Sequence, residues 1–93
     1  MNADYINNPK MGEASSKIDG LNKFLILHND DFHTFDYVVD ALVKICNHET
    51  AQAEQCTYIT HYKGKCDIKK GRLDKLNVMK QELLEKELIV TIE

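Results

Sequence analysis

The sequence predicts a small α+β domain in which three strands and three helices alternate in the order β-α-α-β-α-β. Three observations carry this. An unbroken apolar run, Phe24-Leu25-Ile26-Leu27, stops abruptly at His28-Asn29-Asp30-Asp31. Apolar side chains then recur at helical spacing in the long middle of the chain. Finally, Leu88-Ile89-Val90-Thr91-Ile92 is rich in β-branched residues and reads as a strand. Ninety-three residues suffice for one domain. A chain of this length buries roughly 60–65% of its unfolded surface, so the core is modest.

Met1 to Gly20 is polar and aperiodic, with Asn-Asn-Pro, Gly12 and Ser15-Ser16 breaking any regular pattern. It is expected to be a flexible arm, with the folded domain spanning 21–93. Leu21 to Leu27 reads as the first strand, because a short continuous apolar run suits a strand covered on both faces. The first helix is expected to start near Thr34, whose hydroxyl can accept from an orphan backbone N–H. Asp36 in its first turn suits the positive end of the helix dipole. Phe35, Val38, Val39, Leu42, Val43 and Cys46 form its apolar stripe. The valines favour strand by propensity, but the period decides for helix.

A second helix follows Asn47-His48-Glu49, with Thr50 as its expected cap and Gly64 at the left-handed position past its end. Ala53, Cys56, Thr57, Thr60 and His61 share one face of it. These side chains are small, so that face can approach the first helix closely or wall a cavity. Lys65 to Ile68 reads as a short charged strand and Lys69-Lys70-Gly71 as a turn. The third helix is expected from about Arg72 to Lys86, with Leu73, Leu76, Met79 and Leu83 as its stripe and Val78 and Leu84 broadening it.

Composition excludes several functions. The net charge is -3, so no global field draws nucleic acid, and no apolar run reaches the length that spans a bilayer. The basic stretch Lys63, Lys65, Lys69, Lys70, Arg72 and Lys75 lacks interleaved aromatics and reads as a solvated face. Three cysteines, an odd count with no C-x-x-C pair and no signal-like segment, indicate a reducing, cytoplasmic setting. His28, Asp30, Asp31 and His33 fall within one loop, but their spacing matches no standard metal site. Cys46 and Cys56 fall on faces expected to be buried, where a thiol behaves as a small hydrophobe. Neither a metal centre, a bound cofactor nor a catalytic cysteine is therefore expected.

The turn Asn29-Asp30-Asp31 remains. Adjacent carboxylates repel each other and seek a cation, although Asn and Asp also simply favour turns and helix starts. On spacing alone the second reading is the stronger.

Three segments taken together resemble the ClpS family of protease adaptors. They are Leu27-His28-Asn29-Asp30-Asp31, then Asp36-Tyr37-Val38-Val39, then His61-Tyr62-Lys63-Gly64-Lys65. Their order and separation match the family's N-D-D turn, its acid-aromatic-V-V/I helix segment and its H-x-x-G-K segment. The resemblance covers about residues 21–93. It implies a three-stranded antiparallel sheet packed with three helices, and a recognition module rather than an enzyme.

The expected ligand is an N-degron, the free N-terminus of a substrate protein beginning with Phe, Leu, Tyr or Trp. The expected partner is the AAA+ unfoldase of the Clp protease, with the adaptor itself a cytoplasmic monomer. By matched position Asn29, Asp30, Asp31 and His61 would hold or shape the α-ammonium site. Phe35, Val38, Thr57 and Leu88 would line the pocket for the first side chain. Two departures stand out: Thr57 replaces the family's usual Met, and His33-Thr34-Phe35 replaces a common Thr-Pro-Met. In the family a flexible N-terminal arm helps delivery by engaging the unfoldase, and by resemblance residues 1–20 would serve as that arm. The competing expectation is an assembly domain of similar shape, such as the C-terminal domain of a ribosomal stalk protein, with no ammonium site.

Overall fold

The computed structural model describes residues 23–93, so the expected arm at residues 1–20 and the expected first two strand residues lie outside it. The chain runs β1 (Lys23–His28), α1 (Phe35–Cys46), α2 (Thr50–Lys63), β2 (Lys65–Gly71), α3 (Leu73–Glu85) and β3 (Ile89–Ile92). The order is the expected β-α-α-β-α-β. The strands form one antiparallel sheet in the order β2-β1-β3, so the most apolar strand lies at the centre. Leu25, Ile26 and Leu27 are all buried, as the apolar run requires. Leu27 faces Cys66 on one side and Val90 on the other.

The core gathers Leu25 and Leu27 of β1, Leu42 and Cys46 of α1, and Ala53 and Cys56 of α2. Ile68, Leu76, Leu83, Leu88 and Val90 join it from the second half of the chain. Burying a Leu side chain contributes about 1.5–3 kcal/mol, so this cluster supplies the main driving force. The helix stripe of α1 packs as expected from Val38 to Cys46, with Val38, Val39 and Val43 at its border, but Phe35, expected to open it, is exposed.

Three sequence expectations need correction. Lys69-Lys70-Gly71 is not a turn: β2 continues through Gly71 and pairs with Lys23, Phe24 and Leu25. The ladder skips a residue at Ile68, because Leu25 pairs with Lys69 and Ile26 with Asp67. This bulge turns Ile68 into the core and leaves an edge strand whose exposed charges discourage further pairing. The cap of α2 is Glu49 rather than Thr50, and it makes no side-chain bond to the helix. On α3, Leu76 and Leu83 are buried and Met79 packs at the border, but Leu73, Val78 and Leu84 are exposed. The stripe of α3 is narrower than its composition suggests.

The chain passes from β1 into α1 through 29–34, and this passage is tied down at both ends. The Thr34 hydroxyl accepts from the Tyr37 N–H at 3.2 Å, the expected N-cap. The Asn29 N–H donates to the Gly64 carbonyl at 2.9 Å. Gly64 closes α2 at φ 94, a left-handed conformation that glycine adopts without Cβ strain. One hydrogen bond thus fastens the acidic turn to the end of α2, beside His61.

Candidate functional site: a pocket between the acidic turn, α1 and α2

Asn29, Asp30, Asp31 and His61, expected to form a polar site, and Phe35, Val38, Thr57 and Leu88, expected to form an apolar one, line a single cavity of about 320 Å³. Distant parts of the chain meet here because the turn joins α2 through Gly64 and α1 starts immediately after the turn. Burial divides the lining. Leu27, Leu88, Thr57 and Thr60 are buried and form the inner wall. Asn29, Asp31, Phe35 and His61 are exposed and form the mouth.

The inner wall is more apolar than its composition. The Thr57 hydroxyl donates to the Ala53 carbonyl at 2.7 Å and the Thr60 hydroxyl to the Cys56 carbonyl at 2.8 Å. Both hydroxyls are turned back onto α2, so what these threonines offer the cavity is largely hydrocarbon.

Asp30 organises the turn. Its Oδ1 accepts the Phe32 N–H at 2.8 Å and the His33 N–H at 2.9 Å. The His33 ring Nδ1 lies 3.2 Å from both Oδ1 and Oδ2. Partial burial pushes the Asp30 carboxyl up, but the two backbone N–H groups and the His33 ring outweigh it. The carboxyl is held below its ordinary value of 3.8 and is ionised at neutral pH. Oδ1 is fully engaged, whereas Oδ2 has a single protein partner and keeps acceptor capacity. Asp31 makes no ion pair among the described residues. The arrangement therefore holds surplus negative charge at the mouth of an apolar cavity.

Sequence reasoning passed over His33 as a pocket residue. Its side chain is 9% exposed and that of Asp30 16%, and its ring stacks on Tyr37 with centroids 4.8 Å apart. The Tyr37 hydroxyl in turn donates to the Lys86 carbonyl at 3.0 Å, linking α1 to the end of α3. A histidine three residues after an aspartate that opens a turn was the available signal. His28, also on the lining, bonds Thr91 of β3 through Nε2 at 2.7 Å.

No cluster of three or more His, Cys, Asp or Glu side chains is placed to hold a metal ion among the described residues. Burial pushes the Cys46 thiol up to about 11 and the Cys66 thiol up to about 12, the latter with a further rise from the neighbouring Cys56. Both are protonated at neutral pH and are poor nucleophiles. Among the described residues no helix is long and apolar enough to cross a membrane.

Fold and pocket together are those of a small α+β domain that carries an apolar cavity with an anionic mouth. The family model described as "ATP-dependent Clp protease adaptor protein ClpS" matches residues 23–89, and the chain belongs to that family. The family so described is one of adaptors of the Clp protease. The fold is shared with a solved structure of Agrobacterium tumefaciens ClpS2 bound to L-phenylalaninamide, at TM-score 0.72 and 20% identity. That match covers 80% of this chain and 96% of ClpS2.

Proposed function

We propose that this pocket captures the free N-terminus of a substrate protein that begins with a bulky apolar residue, and that the adaptor delivers it to a AAA+ Clp unfoldase. The observation that carries the reading is the division of the cavity into a hydrocarbon interior and an anionic mouth. An N-terminal Phe, Leu, Tyr or Trp presents the complementary pair, an ammonium one bond from the carbon that bears an apolar side chain. The ligand of the structurally similar ClpS2, L-phenylalaninamide, has that chemistry.

In this reading the side chain enters between Val38, Thr57 and Leu88, with Phe35 at the rim. Burial of such a side chain contributes about 1.5–3 kcal/mol. Asp30 receives the ammonium through Oδ2, a charge-assisted hydrogen bond stronger than a neutral one. Asn29 supplies an amide oxygen, and neutral His61 a ring nitrogen, to the ammonium and the first peptide unit. Asp31 adds negative charge at the mouth. Acetylation removes the charge and two of the three N–H donors, and so removes binding.

A degradation assay tests delivery. A fluorescent protein beginning with Phe is expected to be destroyed by a Clp unfoldase–protease only when this adaptor is present, and the same protein with a blocked N-terminus is expected to survive. Equal degradation of both forms contradicts the proposal.

A further inference from the structure

We propose that His33 is a positioning residue for the anionic mouth of the pocket, fixing the Asp30 carboxylate for ligand capture. The inference rests on the N-terminus-binding reading and extends it to a residue outside the expected site. Three contacts support it. The His33 ring lies 3.2 Å from both Asp30 oxygens, its backbone N–H donates to Oδ1 at 2.9 Å, and its face is stacked on Tyr37. Tyr37 is itself anchored on the Lys86 carbonyl. Ring, carboxylate and helix thus form one assembly in which Asp30 has little rotational freedom.

The chemistry follows from the tautomer. With Nδ1 against a carboxylate, that nitrogen carries the proton in the neutral ring. That N–H orients Asp30, whose Oδ2 keeps acceptor capacity for the ligand.

The test is fluorescence anisotropy of a Phe-initiated peptide, free and acetylated, at pH 7.5, where the peptide's own amine is still mostly charged. Wild type, His33→Asn and His33→Phe are compared, with thermal unfolding to verify folding. Loss of a hydrogen bond to a charged group predicts that His33→Phe binds about tenfold more weakly at pH 7.5. His33→Asn retains an N–H donor near the Nδ1 position and is expected to recover part of that loss. A role in packing alone predicts the reverse order, since Phe can keep the stack on Tyr37 and Asn cannot.

Identical affinities in all three proteins, or tighter binding by His33→Phe than by His33→Asn, overturn the role of His33 and leave the N-terminus reading intact. A wild type that binds the acetylated peptide as well as the free one overturns both.

Discussion

The two ends of α1 each hold a nearly buried histidine, and the two are used differently. At the N-terminal end, His33 faces a carboxylate in a cavity wall. At the C-terminal end, His48 is 4% exposed, and its Nε2 donates to the Ile68 carbonyl at 2.6 Å. That carbonyl belongs to the bulge of β2. Beside it, the Lys69 ammonium donates to the Cys46 carbonyl at 2.9 Å. The His48 end closes a packing problem, tying helix and bulged strand together, and leaves one ring nitrogen, Nδ1, without a partner. An unpartnered acceptor is the cheaper kind of unsatisfied group when the ring is neutral. The His33 end does the opposite, because it collects negative charge and leaves it open to the cavity. Surplus charge next to a hydrocarbon wall suits the proposed ligand, whereas a satisfied carbonyl serves the packing of helix and strand.

Substitutions at the two ends should separate accordingly. The largest effect is expected for Asp30→Ala, which removes the counter-ion and leaves the turn N–H groups unpaired. Truncating one partner of such a pair costs about 2–5 kcal/mol, so binding of a free Phe peptide should fall about a hundredfold, read by anisotropy. His48→Leu at the other end should leave peptide binding within about twofold. It should lower unfolding free energy by about 1–3 kcal/mol, because the Ile68 carbonyl loses its donor. Chemical denaturation measures that cost, and a variant that weakens binding without losing stability would break the contrast.

Thr57→Met adds bulk to the inner wall. It should weaken Phe peptides more than Leu peptides, by on the order of tenfold in their ratio. The smallest effect concerns acid. The Asp30 carboxyl is depressed in the folded state, so its contribution to stability is present above 3.8 and is lost as pH falls through the lower folded value. Relative to Asp30→Asn, wild type should therefore lose its stability advantage between these limits. A constant difference across that range would show that the turn does not hold Asp30 ionised.

Much of the fold was legible because its strongest signals are periodic. The stripe of α1 and the apolar run of β1 each identify an element and its buried face. The second half of β2 was not legible, since an edge strand carrying Lys69 and Lys70 next to Gly71 looks like a turn when its partner is unknown. Val78 and Leu84 were misleading for the converse reason: they are apolar but lie off the face that Leu76 and Leu83 turn to the core. In the pocket, the residues placed by resemblance do converge on one cavity. His33 was missed because its role depends on a three-residue turn that Asp30 closes and on stacking against Tyr37, and neither leaves a periodic trace.

The contrast between the two ends of α1 rests on the anionic mouth having a cationic ligand. The most direct measurement is the affinity of matched peptides beginning with Phe, one with a free amine and one acetylated, for the wild-type protein at pH 7. The free peptide is expected to bind at least a hundredfold more tightly, in line with the loss of a desolvated charge pair. Equal affinity for the two would contradict an ammonium site at Asp30.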